Sequence, residues 1–142
     1  MEKFNKYKKE QVEEHFDSVA LNYDGVYLRA GYPDPKKCSD YVADFVKSRA
    51  LGQNVEICDF ACGTGLVGEY LKEEGFNKVF GIDVSSKMLE IAESKKVYRA
   101  TKKIELGQTE FLNTFPPLWR NRFDFVTCAG LINNNYMDEK IF

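Results

Sequence analysis

The sequence predicts an α/β fold built on a mainly parallel sheet, and two observations support this prediction. Short β-prone runs alternate with amphipathic helical segments in the second half of the chain, which is typical of parallel strands joined by crossover helices. A glycine-rich loop at residues 61–65 follows the first of these runs, and Asp83 ends the second. Because open parallel sheets bind ligands at the carboxyl ends of their strands, both features mark one candidate binding edge.

The sequence predicts that the first 52 residues form a helical segment, which packs on a domain formed by residues 53–142. Apolar residues at helical spacing predict a first helix over roughly residues 8–21, and a turn-rich stretch follows over residues 22–35. A second helix comes next. Its apolar stripe consists of Cys38, Tyr41, Val42, Phe45 and Val46.

Four strands are predicted beyond Gly52. They lie at residues 55–60, 78–83, about 103–106 and 123–128, and the third is the weakest. The first helix between them covers residues 66–74, with Gly75 as its C-terminal stop. Ser85 or Ser86 is expected to cap the next helix. The apolar face of that helix consists of Met88, Leu89, Ile91 and Ala92.

Composition and charge argue against several classes of protein. The 142 residues include 20 basic and 22 acidic side chains, a balance without the positive charge of a general nucleic-acid binder. No apolar run approaches the roughly 20 residues that span a bilayer, and the charged N-terminus is unlike a secretory signal. Four cysteines without a C-x-x-C pair and a single histidine, His15, form no zinc-binding pattern. We therefore expect one domain in the reducing cytoplasm, without a bound metal.

The loop after the first strand has the chemistry of a ligand-binding turn. Gly63 and Gly65 lack a β-carbon, so the backbone can turn tightly there and a ligand can approach closely. The helix that follows presents free N–H groups and the positive end of its dipole. Asp59 lies at the strand end, where a carboxylate can act directly or through water on a cationic amino-acid group.

Asp83 provides the second half of the candidate site. It ends the second predicted strand, 20 residues after Gly63. A carboxylate at that position can accept two hydrogen bonds from a ribose 2′,3′-diol. Val84 and Met88 would then flank an adenine ring. The pattern therefore indicates a ligand that contains adenosine.

The same residues fit a dinucleotide-binding pattern, so NAD is an alternative ligand. Residues 63–68 form a literal G-x-G-x-x-G, and Asp83 has the spacing of the acidic residue that accompanies it. Two features favour a different cofactor. Asp59 places a negative charge four residues before the first glycine, where a pyrophosphate gains nothing from it. The loop also follows about 55 residues of N-terminal sequence, whereas an NAD domain usually opens with its first strand.

Two segments of the chain resemble class I S-adenosylmethionine-dependent methyltransferases. Residues 55–65, Val-Glu-Ile-Cys-Asp-Phe-Ala-Cys-Gly-Thr-Gly, resemble the first motif of that superfamily, and residues 81–89, Gly-Ile-Asp-Val-Ser-Ser-Lys-Met-Leu, resemble the second. A nearer likeness is to the methyltransferase-like family of the Williams–Beuren syndrome chromosome region, and it includes residues 16–24, 106–108 and 123–130. The resemblance implies a Rossmann-like, doubly wound sheet and S-adenosyl-L-methionine as cofactor. It also implies a methyl acceptor that is a small molecule or a protein.

The family pattern implies a role for each candidate residue. The methionine moiety would be surrounded by Asp59, Gly63 and Gly65, with Ala61 in the same loop. Asp83 would hold the ribose, Val84 and Met88 would contact the adenine, and Gly107 and Gln108 would lie near its edge. Ala129 and Gly130, after the fourth strand, would lie under the sulfonium. Tyr23 either closes the pocket from the N-terminal side or packs as an aromatic side chain in a helix-capping turn.

Three departures from the family pattern limit what the resemblance implies. Ala61 replaces the first glycine usual in the first motif, and we expect it to be tolerated at a negative φ. Many members carry an acidic residue after the third strand, and none is evident near Gly107. The usual fold has seven strands, whereas this sequence predicts four, without the C-terminal ones. The resemblance therefore implies cofactor binding more firmly than catalysis, and no general base can be named.

The short strand count leads to two further expectations. A truncated, non-catalytic interaction module is the alternative to an enzyme. The family's strand order implies that the strand at residues 123–128 lies beside the first strand, and without a fifth strand it would form a sheet edge without the lysine, proline or bulge that protects edges. We therefore expect the chain to self-associate, to pair with a partner, or to be a fragment of a longer protein.

Overall fold

Four parallel strands form one sheet in the computed structural model, which describes residues 9–106 and 111–131. The strands are β1 (Ile57–Phe60), β2 (Val79–Asp83), β3 (Ala100–Lys103) and β4 (Phe125–Thr127). Their order across the sheet is β3-β2-β1-β4, so β1 pairs in parallel with both β2 and β4. This arrangement confirms the predicted α/β class and the predicted pairing of the first and fourth strands.

Helices alternate with the strands and precede them. They are α1 (Lys9–Arg29), α2 (Asp34–Ser48), α3 (Leu66–Glu73), α4 (Ser86–Ser94) and the short α5 (Phe111–Thr114), with a 3-10 helix at Pro117–Trp119. α3 and α4 connect the first three strands, as parallel pairing requires. Within residues 9–106 and 111–131, no helix combines the length and apolarity needed to cross a bilayer.

α1 is longer than the sequence predicts. It continues to Arg29, so the turns expected from residue 22 onward are wrong for residues 22–29. Gly25 does not end the helix, because the Arg29 side chain donates a hydrogen bond to the Gly25 carbonyl oxygen at 2.7 Å. Tyr23 also stacks on Tyr27 one turn later, with ring centroids 4.2 Å apart. These i,i+4 contacts outweigh the local preference of glycine and asparagine for turns.

The buried face of α2 is rotated from the predicted stripe. Its buried residues are Pro35, Ser39, Val42 and Val46, which lie on one helical face. Tyr41 and Phe45 are 75% and 48% exposed, so their assignment to the buried stripe is wrong. The reason is that α2 packs its valine edge against α3, and this contact covers only a narrow line of residues.

The stretch from Gly52 to Ser94 forms as the sequence predicts. Gly75 follows the end of α3 with a φ of +92°, and its N–H donates to the Lys72 carbonyl oxygen at 3.0 Å. The Ser85 side chain caps α4 by accepting a hydrogen bond from the Met88 N–H at 3.1 Å. Local stop and start residues therefore delimit these helices.

The third strand lies upstream of its predicted position. β3 covers Ala100–Lys103 instead of residues 103–106, and Lys103 pairs with Asp83 at the end of β2. The sequence Ala-Thr-Lys-Lys has little apolar character because β3 lies at an edge of the sheet and both of its lysines are exposed. A strand prediction based on hydrophobicity is therefore shifted to Ile104 and Leu106, which are buried but follow the strand.

Apolar side chains cover both faces of the sheet. On one face, the packed residues include Val42, Val46, Ile57, Val67, Leu71 and Val79. On the other face, they include Cys58, Phe80, Ile82, Ile104, Phe115 and Trp119. Since successive strand residues point to opposite faces, Asp59 shares the face of Ile57, which α2 and α3 cover.

β4 forms one edge of the sheet in the described part of the chain. It is shorter than the predicted run over residues 123–128, and Val126 is 55% exposed. Phe125 contacts Phe45 of α2 edge-to-face, with ring centroids 5.7 Å apart. Self-association or partner pairing through this edge stays a prediction.

Candidate functional site

The glycine loop crosses the carboxyl edge of the sheet. Residues 61–65 join β1 to α3. Ala61, Gly63 and Gly65 have positive φ angles of 53°, 53° and 90°. The negative φ at which Ala61 was expected to be tolerated is therefore not the one it adopts. The loop keeps at position 61 the left-handed backbone that favours glycine, which costs an alanine about 1 kcal/mol or more.

Gly63 is tied to the second strand and faces open space. Its N–H donates a hydrogen bond to Asp83 Oδ2 at 2.8 Å. A β-carbon built on Gly63 would meet no heavy atom within 4 Å. The loop therefore leaves room for a ligand to approach its backbone closely at this glycine.

Asp83 joins the two halves of the site through backbone hydrogen bonds. Its Oδ1 accepts the N–H of Ser85 at 2.8 Å, while its Oδ2 accepts that of Gly63. The side chain is buried, with 7% exposure, and burial raises its pKa while the backbone N–H groups lower it. The sequence predicts Asp83 as a ribose ligand facing a cleft. In the structure, its direct partners are the glycine loop and the start of α4.

Asp59 lies beneath the loop. It is 1% exposed, and its two carboxylate oxygens accept hydrogen bonds from the Tyr98 hydroxyl at 2.7 Å and the Thr127 hydroxyl at 2.8 Å. Burial raises the pKa of Asp59 to about 7, and Asp83 adds to this rise, whereas the two hydroxyl groups oppose it. The sequence predicts contact between Asp59 and a cationic group of a ligand. In the structure, its direct partners are two protein hydroxyl groups.

Burial of Asp59 predicts that the protein loses stability as the pH rises. The pKa is about 7 in the folded chain and 3.8 ordinarily, so the folded state binds the proton more tightly between these values. The free energy of unfolding therefore falls across this window, by up to roughly 4 kcal/mol at about 1.4 kcal/mol per pKa unit. We expect Asp59→Asn, which does not titrate, to remove this part of the slope. Urea unfolding at pH 5 and pH 8 measures it, and parallel pH profiles for both proteins would contradict the assignment.

Tyr98 is a residue of the site that the sequence analysis does not single out. Its side chain lies against three glycines, and β-carbons built on Gly65, Gly68 and Gly81 would approach its atoms to 3.2, 2.7 and 3.3 Å. Two of these glycines belong to the G-x-G-x-x-G pattern. Two glycines of the motif therefore make room for the Tyr98 side chain. The sequence gives little sign of this packing, because Tyr98 is a single aromatic residue between a helix and a polar strand.

α1 lies across the glycine loop and the start of α4. Asp24 accepts hydrogen bonds from the Thr64 hydroxyl and, at 2.5 Å, from Lys95, which also pairs with Glu69 at 2.7 Å. Asp17 accepts the Ser85 hydroxyl at 2.5 Å. The contacts of Asp17 and Asp24 connect positions 40 to 71 residues apart in the sequence. The N-terminal helix therefore packs on the same edge that carries the loop.

Aromatic side chains from α1 and the turn after it extend toward the end of β4. Tyr23 stacks on Tyr27, and Tyr27 contacts Tyr32 edge-to-face at 5.0 Å. Burial raises the pKa of Tyr23 well above its ordinary value, with the neighbouring Asp83 among the causes. A β-carbon on Gly130 would lie 2.5 Å from the Tyr32 hydroxyl oxygen. The structure therefore brings Tyr23 near Asp83 and places Tyr32 against Gly130.

The remaining candidate residues have different surroundings. Val84 and Ala129 are partly buried, whereas Met88 is 1% exposed and belongs to the protein interior. Gly107 and Gln108 lie outside the described residues. Among residues 9–106 and 111–131, no group of three or more His, Cys, Asp or Glu side chains is arranged to hold a metal ion.

A cavity of about 300 Å³ lies at the opposite edge of the sheet. It is lined by residues that precede β2 and β3, among them Lys72, Phe76, Lys96 and Arg99. Apart from Val97 and Tyr98, which lie beside Gly65, its lining residues take no part in the contacts described around the glycine loop. The candidate site is therefore the loop edge and not this cavity.

The comparisons with known proteins agree on one family. Residues 57–141 match the family model of a methyltransferase domain. The chain is 36% identical over 119 residues to methyltransferase-like protein 27 of Homo sapiens, covering 84% of this chain and 46% of that protein. It is 31% identical over 131 residues to demethylmenaquinone methyltransferase of Lactococcus lactis subsp. lactis, covering 91% and 50%. The chain therefore spans about half the length of these curated relatives.

Solved structures share the fold. The magnesium protoporphyrin IX methyltransferase of Synechocystis, crystallised with bound SAH, aligns with a TM-score of 0.55 at 22% identity, covering 71% of this chain and 53% of that one. An S-adenosylmethionine-dependent methyltransferase of Clostridium acetobutylicum aligns with a TM-score of 0.54 at 26% identity, covering 80% and 43%. The sheet described above is thus shared with Rossmann-like methyltransferases.

Proposed function

The chain belongs to the methyltransferase domain family that matches residues 57–141, and from this premise we propose that it binds S-adenosyl-L-methionine and transfers the methyl group to a small molecule or a protein. The chain spans about half of its curated relatives, so catalysis by these 142 residues is part of the proposal. The methyl acceptor is proposed only as a class.

One observation carries the proposal. The N–H of Gly63 donates to Asp83 at 2.8 Å, so the glycine loop and the acidic end of β2 form one unit at the carboxyl edge. Gly63 has open space where a side chain would project. A ligand with an amino-acid end and an adenosine end fits such an edge, because the two ends can lie over neighbouring strand termini.

The residues present suit this cofactor by their positions. Gly63 and Gly65 would lie against the methionine moiety, while Asp83 and Val84 would lie near the ribose and adenine. The Asp83 carboxylate accepts hydrogen bonds from the backbone N–H groups of Gly63, Val84 and Ser85, and a carboxylate has about four acceptor sites, so capacity for a hydroxyl group is left. Ala129 and Gly130 would face the sulfonium. Asp59 and Met88 are buried, so they would support the site from beneath.

The chemistry divides between cofactor and protein. Bound S-adenosyl-L-methionine supplies a methyl group on a sulfonium, which is already activated for displacement. The chain's own residues bind and orient the cofactor and keep water from the reacting methyl. α1 is placed to help exclude water, because its residue Asp24 contacts Thr64 in the glycine loop. No residue is proposed as a general base.

We expect the chain to bind S-adenosylhomocysteine and not NAD. The physical reason is the buried Asp59 beneath the loop, because above its pKa of about 7 this carboxylate is negatively charged and disfavours a pyrophosphate. Isothermal titration calorimetry with both ligands measures this. Tight NAD binding without a response to S-adenosylhomocysteine would refute the proposal.

Methyl transfer requires its own experiment. A cell extract incubated with the chain and methyl-labelled S-adenosylmethionine should gain label in a small molecule or a protein, and the same extract with Gly63→Val should not. Cofactor binding without any transfer would favour the alternative of a non-catalytic interaction module.

Two further parts of the proposal concern organisation and location. We propose that the N-terminal segment of residues 1–52, which the structure describes from residue 9 onward, packs on the domain of residues 53–142, and the contact of Asp17 with Ser85 supports this packing. The four cysteines are free thiols, which supports a reducing, cytoplasmic location.

A further inference from the structure

Tyr98 occupies a space that three glycines leave open. A β-carbon on Gly68 would lie 2.7 Å from its ring, closer than real β-carbons approach, and those on Gly65 and Gly81 would lie at 3.2 and 3.3 Å. The three glycines come from the loop, from α3 and from β2, so the ring touches each part of the structure that meets beneath the loop. Only Gly63 of the G-x-G-x-x-G pattern faces open space.

The hydroxyl of Tyr98 adds a polar connection. It donates to Asp59 Oδ2 at 2.7 Å, and Thr127 donates to the other oxygen of the same carboxylate at 2.8 Å. The segment before β3 is thereby joined to β1 and β4 under the loop. A buried carboxylate is costly without such donors, so loss of one disturbs the position of Asp59.

We propose that Tyr98 is a positioning residue for the cofactor: its ring and hydroxyl hold the glycine loop and Asp59 in the arrangement that receives the amino-acid end of S-adenosylmethionine. This inference rests on the proposed function and adds to it a residue that makes no contact with the ligand. Asp83 and Val84 hold the other end of the cofactor. The effect of Tyr98 is therefore confined to the amino-acid end.

The decisive variant is Tyr98→Phe, which keeps the ring and removes only the hydroxyl. We expect its affinity for S-adenosylhomocysteine to fall by about tenfold, the range of one lost buried hydrogen bond. Affinity for 5′-methylthioadenosine, which has the same adenosine end and no amino acid, should change by less than about twofold. A merely structural tyrosine would weaken both ligands equally. Calorimetry with each ligand gives both numbers.

Tyr41→Phe is the matched control. Tyr41 is 75% exposed on α2, far from the loop in sequence and outside the contacts described for it. This variant should bind both ligands as the unchanged chain does. Its thermal melting also shows what the loss of a tyrosine hydroxyl does without Asp59 as partner.

A second variant keeps the inference testable if Tyr98→Phe does not fold. Gly68→Ala displaces the Tyr98 ring and leaves Asp59 and residues 61–65 of the loop unsubstituted, and it should weaken S-adenosylhomocysteine binding more than 5′-methylthioadenosine binding. Where Tyr98→Phe does fold, the losses in the double variant should not add, because both substitutions act through the same side chain. Equal loss of both ligands, or no loss of S-adenosylhomocysteine, would overturn the role of Tyr98. If the unchanged chain binds neither ligand, the proposed function itself fails.

Discussion

Gly63→Val is expected to abolish binding of S-adenosylhomocysteine while the chain stays folded. The β-carbon direction of Gly63 leads into space without protein atoms, so the valine side chain would occupy the volume assigned to the cofactor and not clash with the protein. We expect affinity to fall by at least about a hundredfold. Calorimetry measures the binding, and circular dichroism confirms the fold.

Gly52→Val is the control for backbone strain. Gly52 also has a positive φ, +74°, and its β-carbon direction is equally open, but it lies in the loop before β1. Both variants should lose a similar amount of stability, because a β-branched residue is disfavoured at positive φ. Only Gly63→Val should lose the ligand. Full affinity in a folded Gly63→Val protein would refute the assignment of the loop.

Asp83→Ala is expected to weaken S-adenosylhomocysteine about ten- to a hundredfold and to lower the melting temperature as well. A carboxylate that only held the ribose, the role that the sequence predicts for Asp83, would affect the ligand alone. In the structure, the variant also leaves the N–H groups of Gly63 and Ser85 without their acceptor in a buried environment, at roughly 1–3 kcal/mol each. Thermal melting without ligand and calorimetry on the folded protein separate the two effects.

Asp17→Ala provides the comparison for Asp83. Asp17 also holds the start of α4, accepting hydrogen bonds from the Ser85 hydroxyl and, at 3.1 Å, from the Lys87 N–H. Asp17→Ala should lower the melting temperature and change the affinity for S-adenosylhomocysteine by less than about threefold. If both variants lower stability equally and neither affects affinity, Asp83 only supports the fold, and the ribose is held elsewhere.

The local order of the site was predictable from the sequence. The strand, the glycine loop, the stop at Gly75 and the Ser85 cap each depend on residues within a few positions of one another. Such signals act through backbone geometry and short hydrogen bonds, which are the same in most folds. For this reason, α3 and α4 lie where the sequence places them, and Gly63 and Asp83 meet at one edge.

Several features depended on contacts that no local pattern reveals. Ala61 has a positive φ, although its residue type favours the opposite, and the N–H groups of Cys62 and Gly63 beside it are hydrogen-bonded to the end of β2. β3 is recognised by its pairing with β2, since its own residues are polar. α1 extends through residues 22–29 because helical neighbours support each other there.

By itself, the sequence determined the fold class, the glycine loop and the family, because these depend on residues adjacent along the chain. Only the tertiary structure decided which side chains meet around that loop. Tyr98 reaches Asp59 across 39 positions, and Asp24 reaches Thr64 across 40. Two glycines that fit a ligand-binding motif accommodate Tyr98 instead. The physical reason is that packing joins residues by their distance in space, and a glycine looks the same in the sequence whether a cofactor or a tyrosine fills the space beside it.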